Sequence, residues 1–319
     1  MSGADADLPV RVAVVDIGTN STRLLIADVD AMTGAVGELD RRSTVTRLGV
    51  GVDRSGVLSE EGMARVFATL DEYAAAIDAA GDVALRPAVL TSAVRDASNG
   101  VTFTARVSEQ YGLDARAITG EQEARLSYLG ATNGREPGGG PLVVLDIGGG
   151  STELIVGDGS QLRFHVSTQA GVVRQSERHI HHDPPLPREL DAMAAETREI
   201  FAAAVPAELR DHAASMVAVA GTATSIAAID QWLDPYDSSK VHGYVIGLAA
   251  CEAIRDRLAA VDEAERRLVP GLHPDRAPTI VAGCVLLVEA VRIFGLDRVE
   301  VSEHDILHGV AIAAAQHQL

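Results

Sequence analysis

Cysteine, aromatic residues, basic residues and long apolar runs are all scarce in this 319-residue chain. Its two cysteines, Cys251 and Cys284, lie far apart among apolar neighbours. They read as buried thiols rather than a disulfide, which fits a reducing compartment. Phe, Trp and Tyr supply 3 % of a chain that is 47 % hydrophobic, so its cores must be packed from Ala, Val, Leu and Ile. The longest apolar stretch, near 280–291, is interrupted by Gly283 and Glu289 and is too short to cross a bilayer. Residues 1–8 are small and acidic, with neither a basic region nor an apolar core, so no signal peptide is expected. Lys and Arg total 27 against 45 Asp and Glu, a formal charge of −18. That balance argues against general nucleic-acid or anionic-membrane binding. It leaves room for a polyanionic substrate wherever arginines cluster in one cleft. A cytoplasmic protein of about two domains is the expectation.

What is present is a repeated turn. Val14-Val15-Asp16-Ile17-Gly18-Thr19-Asn20-Ser21-Thr22-Arg23 is matched by Val144-Leu145-Asp146-Ile147-Gly148-Gly149-Gly150-Ser151-Thr152-Glu153. In both, an apolar run leads to Asp-Ile-Gly, a small-residue turn with Ser-Thr, and a second apolar run. Such a hairpin turn presents bare backbone N–H groups and hydroxyls, which form an anion-binding concavity. The strand-end Asp is placed to hold a metal ion or a water beside that anion. Two such turns suggest a duplicated fold that closes two phosphate loops on one cleft. Gly18, Thr19, Asn20, Ser21 and Arg23 in the first turn, and Gly148, Gly149, Gly150 and Ser151 in the second, are the candidate phosphate contacts.

Between and after the turns, the pattern alternates strand and helix. The first half reads as strands at 10–16, 23–29, 36–39 and 43–48, a helix capped by Ser59, a strand at 87–91 and a helix start at 92–99. A short strand at 115–118, a helix at 121–129 and the Gly/Pro loop 134–141 follow. The second half reads as strands at 142–146, 152–157, 162–167, 216–220 and 299–301. Its helices fall at 172–181, 187–204, 223–232, 248–258, 276–294 and 305–316. This is α/β architecture in each half.

Three further segments join a strand to a helix start. Thr91-Ser92 with Arg95 offers hydroxyls, helix N–H groups and a guanidinium fork to an anion. Thr119-Gly120-Glu121-Gln122-Glu123 offers a carboxylate fit to act as general base beside phosphates. Gly221-Thr222 is a small-residue turn suited to a phosphate or nucleotide. Arg174, Arg178 and Arg188 are candidates for a basic track. His179, His181 and His182 match no zinc spacing and read as a solvated helix end. His304 and His308 read as sharing a helix face.

Taken together, these segments resemble the exopolyphosphatase/guanosine pentaphosphate phosphohydrolase (Ppx/GppA) family. The match includes Thr46-Arg47-Leu48-Gly49, Gly171-Val172-Val173-Arg174, Pro274-Asp275-Arg276-Ala277 and Val301-Ser302-Glu303. The resemblance implies two actin-like, ribonuclease H-like domains of the sugar kinase, actin and heat-shock-chaperone ATPase superfamily, with an inter-domain cleft. The expected domains are 1–124 and 125–304, with a final helix, 305–319, packing back on the first. The short, two-domain type of the family is the nearest likeness. It implies an exopolyphosphatase that hydrolyses the terminal phosphoanhydride bond of polyphosphate, with Mg²⁺ or another divalent cation. Glu123 matches the catalytic glutamate that orients and deprotonates water. The family usually has two adjacent glutamates there, where this chain has Gln122 and Glu123. Asp146 and Glu153 match acidic positions serving the metal or the water, with Asp16 a further metal-side carboxylate. Asn20, Ser21, Arg23, Ser92, Arg95, Gly148, Gly149 and Ser151 would hold phosphates. A guanosine pentaphosphate phosphatase, a kinase or ATPase of the superfamily, and a non-catalytic polyphosphate or alarmone sensor are the alternatives. A homodimer is the expected assembly.

Overall fold

The computed structural model describes residues 9–136, 138–159 and 161–319. The expectation of no signal peptide at 1–8 falls outside them. Two compact units emerge, one comprising Met1–Arg135 with Ile306–Leu319, the other Glu136–Asp305.

In the first unit, β1 (Val10–Ile17), β2 (Ser21–Val29) and β3 (Val36–Val45) form an antiparallel meander. β4 (Pro87–Leu90) runs parallel to β1, and β5 (Asp114–Ala117) parallel to β4. The sheet order is β3-β2-β1-β4-β5. α1 (Val52–Ser55) and α2 (Glu60–Ala79) follow β3, α3 (Ser92–Asp96) and α4 (Gly100–Tyr111) follow β4, and α5 (Gly120–Thr132) follows β5. Successive residues of a strand face opposite sides, and β1 and β2 are apolar on both because both sides are covered. Ala13, Val15, Leu24 and Ile26 pack with Val66, Leu70 and Phe103. Val12, Val14, Leu25 and Ala27 pack with Leu126 and with α14 (Ile306–Ala315). The Ser59 hydroxyl caps α2, accepting from Gly62 N at 3.1 Å. The two pieces expected at 36–39 and 43–48 are one strand. A bulge where β3 passes Ile26 and Ala27 lets pairing continue through the polar run Asp40–Arg41–Arg42. α5 is continuous across position 124, which keeps the whole helix in this unit.

The second unit repeats the plan. β6 (Leu142–Ile147), β7 (Thr152–Asp158) and β8 (Gln161–Thr168) form the meander, β9 (Ser215–Val219) runs parallel to β6, and β11 (Arg298–Val301) parallel to β9. An extra edge strand, β10 (Tyr244–Gly247), pairs antiparallel with β11. The order is β10-β11-β9-β6-β7-β8, the first unit's order with one strand added. The helices are α6 (Val172–His179), α7 (Pro187–Ala204), α8 (Ala207–Asp211), α9 (Ala220–Asp230), α10 (Ser238–Val241), α11 (Leu248–Ala259), α12 (Glu263–Arg266) and α13 (Ile280–Ile293). α13 is almost wholly buried. Its one acidic residue, Glu289, receives Arg198 Nε at 2.8 Å and Arg292 Nη1 at 2.7 Å, which is how a charge survives in that run. Both cysteines are free and buried here. Burial pushes the Cys251 thiol up to about 12.

Three expectations are corrected in detail. α13 begins at Ile280 rather than 276, because a 3₁₀ turn, Pro274–Arg276, occupies the preceding residues. α14 begins at Ile306, so His304 precedes the helix, yet a nitrogen of its ring still comes within 4.8 Å of one on His308. The 179–183 segment is not a simple solvated end. His179 Nε2 lies 2.6 Å from Glu196 Oε2, His182 Nδ1 lies 2.6 Å from Glu189 Oε1, and Arg266 Nη2 donates to Asp183 Oδ1 at 2.6 Å. These pairs tie the end of α6 to α7 and α12.

Candidate active site

In open α/β sheets ligands gather beyond the carboxyl ends of the parallel strands. The first unit's functional candidates collect there, at the ends of β1, β4 and β5. The β1–β2 turn is closed by Gly18 N donating to Ser21 O at 2.9 Å. Asp16 and Arg23 are cross-strand partners. Arg23 Nη2 lies 2.6 Å from Asp16 Oδ2, and both side chains are largely buried. Thr19 Oγ1 and Ser92 Oγ are 2.8 Å apart, and Ala93 N donates to Thr19 Oγ1 at 3.2 Å, so the first turn is joined to the β4–α3 turn. α3 has only five residues, and Thr91 makes no side-chain cap to it.

The β5–α5 turn completes this edge. Thr119 and Gln122 form a capping box: Gln122 N donates to Thr119 Oγ1 at 3.2 Å, and Thr119 N to Gln122 Oε1 at 2.9 Å. An amide does this as well as a carboxylate, so the Gln122 departure is accommodated in a helix cap. Glu123, one residue on, turns inward and is buried. Arg95 Nη1 donates to Glu123 Oε2 at 3.1 Å and to Ile118 O at 2.9 Å. Arg95 thus sits against the candidate base.

The second unit's edge is built from the ends of β6, β9 and β11. Gly148 N donates to Ser151 O at 2.9 Å, the same closure as in the first turn. Val172 N donates to Gly148 O at 3.0 Å and Val173 N to Gly149 O at 2.8 Å, which seats the start of α6 on the glycine turn. The approach is close enough that a Cβ on Gly171 would lie 2.4 Å from the Gly149 carbonyl carbon. Arg174 Nε donates to Gly150 O at 3.0 Å. Of the proposed basic track, Arg174 reaches this turn, whereas Arg178 is paired with Glu196 and Arg188 is exposed in the first turn of α7.

Asp146 and Glu153 are direct cross-strand partners on β6 and β7, and both are buried. Ser167 Oγ donates to Glu153 Oε1 at 2.7 Å from the next strand. Two carboxylates opposite one another repel unless a cation joins them. Two buried carboxylates on facing strand positions offer the hard oxygen ligands that a divalent cation such as Mg²⁺ takes. The third turn begins with Ala220, a non-glycine residue at φ = +64°. Thr222 is buried beside it. Gly221 is covered by the Arg276 guanidinium, since a Cβ there would lie 1.9 Å from Arg276 Nη1. Arg276 stood in the sequence only as part of an ordered motif. Its place on this turn is invisible without the chain reversal at 271–279.

Each unit is therefore a ribonuclease H-like domain whose strand ends carry Asp-Ile-Gly turns, the design of an actin-like, phosphate-handling protein. A family model described as the Ppx/GppA phosphatase family matches residues 25–317. Exopolyphosphatase 2 of Mycobacterium tuberculosis is 37 % identical over 316 residues, covering 96 % of this chain and 98 % of that protein. The crystal structure of an exopolyphosphatase-like protein matches with TM-score 0.89 and 32 % identity, covering 98 % of this chain and 99 % of that one. A Ppx/GppA family member from Aquifex aeolicus matches with TM-score 0.80 and 31 % identity over 97 % and 98 %. This chain belongs to the Ppx/GppA phosphatase family.

Proposed function

We propose that this protein is an exopolyphosphatase: it hydrolyses the terminal phosphoanhydride bond of inorganic polyphosphate and releases orthophosphate. The observation that carries the reading is the buried Asp146–Glu153 pair beside the glycine turn, a metal-and-phosphate arrangement. The relatives named above support the choice of substrate class.

Phosphoryl transfer needs positioning and charge neutralisation more than covalent work. Asp146 and Glu153 would hold Mg²⁺, which neutralises charge developing on the phosphoryl oxygens. Glu123 orients the attacking water and accepts its proton as the O–P bond forms, and the shortened chain leaves with the bridging oxygen. Arg95 fixes the Glu123 carboxylate. Asp16, tied to Arg23, is assigned to presenting that guanidinium to a phosphate rather than to the metal. At the first unit's edge Gly18, Thr19, Asn20, Ser21 and Ser92 supply N–H and O–H donors, and at the second unit's own edge Gly148–Gly149–Gly150, Ser151, Gly221 and Thr222 do the same. These donors offset the repulsion a polyanion meets from a chain of charge −18.

The test is orthophosphate release from short and long polyphosphate with Mg²⁺, with guanosine pentaphosphate as the competing substrate. Release that Glu123→Gln abolishes supports the reading. Much higher kcat/KM for the nucleotide would transfer the assignment to the nucleotide phosphatase.

A further inference from the structure

Among the described residues, four other than glycine have positive φ: Arg47, Ala220, Trp232 and His317. Trp232 and His317 follow the ends of α9 and α14, where left-handed backbone is a common way to terminate a helix. Ala220 opens the third phosphate turn. Arg47, at φ = +51°, follows β3 and ends no helix. A long side chain in this region is held only when its surroundings enforce it, and such residues cluster at ligand clamps.

The enforcement here comes from the first turn itself. Thr46 N and Arg47 N both donate to Asn20 O, at 3.0 and 2.9 Å, and Gly49 N donates to Thr19 O at 2.8 Å. On the other side, Arg65 Nε donates to Thr46 O at 2.6 Å and Arg65 Nη2 to Arg47 O at 3.1 Å. Thr46 Oγ1 lies 3.0 Å from Thr22 Oγ1, whose residue's carbonyl accepts from Tyr73 OH at 2.9 Å. The segment 46–49 is thus stitched along Thr19 and Asn20, and the strained residue roots beside the carbonyl of Asn20. Glycine would satisfy the same backbone bonds without strain. What arginine adds is a long cationic arm at an anion-binding turn in a strongly acidic chain.

We propose that Arg47 is a substrate-binding residue whose guanidinium engages a phosphate held at the first turn, and that its backbone strain is retained for that placement. This rests on the exopolyphosphatase reading. The experiment compares wild type, Arg47→Gly and Arg47→Lys. It measures thermal melting without substrate, KM and kcat for polyphosphate with Mg²⁺, and tripolyphosphate binding by calorimetry. Thermal melting establishes that Arg47→Gly is folded under the assay conditions. Its KM and its Kd for tripolyphosphate should rise about tenfold or more, the weight of a charge-assisted hydrogen bond, while kcat changes far less. Arg47→Lys should recover part of the affinity.

Unchanged KM and Kd in Arg47→Gly would overturn the proposal. Failure of the functional reading looks different. The wild type would then bind tripolyphosphate without releasing orthophosphate, and the Kd comparison would still decide Arg47. A wild type that neither binds nor hydrolyses would overturn both.

Discussion

Asp146 and Glu153 oppose each other across β6 and β7, and the matching positions on β1 and β2 are Asp16 and Arg23. The duplicated turn therefore carries an acid–acid pair in one unit and an acid–base pair in the other. The first unit satisfies its strand-end aspartate with a guanidinium 2.6 Å away. The second sets two buried carboxylates opposite each other, the pair we propose for the divalent cation. Ser167, which holds Glu153 at 2.7 Å, is the test of that difference. Ser167→Ala should raise the Mg²⁺ concentration for half-maximal activity by about 10–100-fold, as loss of a partner behind a metal ligand generally does. A Mg²⁺ titration superimposable on wild type would count against Glu153 as a ligand.

Glu123 and Arg95 make a second prediction. Glu123→Gln keeps the size and a hydrogen-bond acceptor for Arg95, but removes the carboxylate proposed to accept the proton. It should lower kcat by about 10²–10⁴-fold with little change in KM, the usual weight of general-base catalysis. Arg95→Ala should lower kcat and also raise KM, because it releases the base and removes a cation. Steady-state kinetics on both variants checks the split. A Glu123→Gln enzyme altered in KM alone would remove the residue from the base role.

Most of this edge was legible in the sequence, and the reasons it was not wholly so are local. The two Asp-Ile-Gly hairpins declare themselves because small residues between apolar runs have few other uses. The pairing of Asp146 with Glu153 follows from a tight turn, since equal steps back along each strand bring them opposite. Arg95 meeting Glu123 does not follow, because it depends on β4 and β5 lying side by side. β10 is hard to see in the sequence because its four residues, Tyr244–Gly247, follow one glycine, end on another and include two exposed positions. β3 was read as two pieces because the polar residues Asp40, Arg41 and Arg42 interrupt it, yet as an edge strand it needs few apolar positions. The Arg276 guanidinium over Gly221 is a contact between residues 55 positions apart that no periodicity reports (276 − 221 = 55).

Ala220 gives a stability prediction with an unusual sign. Alanine to glycine inside a helix costs about 1 kcal/mol. Here Ala220 holds φ = +64°, where a Cβ is unfavourable and glycine is not. Ala220→Gly should therefore be neutral or stabilising, by up to about 1 kcal/mol. Urea denaturation of the two proteins would reveal it. A loss of stability near the helix-interior value would mean that the Ala220 methyl contributes packing that outweighs its strain.

The last prediction concerns acid, and it tests the ion pairs that replaced the expected solvated helix end. Glu189 is buried near the start of α7. Burial alone would raise its carboxyl, but the hydrogen bond with His182 and the backbone amides of Leu186 and His181 outweigh it, holding the group at about 2 rather than 4.5. The folded-state value lies below the unfolded one, so the carboxylate's contribution is fully present above pH 4.5 and is lost as pH falls towards about 2. Glu189→Gln keeps an acceptor for the Leu186 amide and removes only the charge. The gap in melting temperature between wild type and this variant should be largest at about pH 6 and should narrow steadily below about pH 4.5. A gap that held constant down to about pH 3 would show that Glu189 acts through its cap alone, and that the His182 contact contributes nothing through charge.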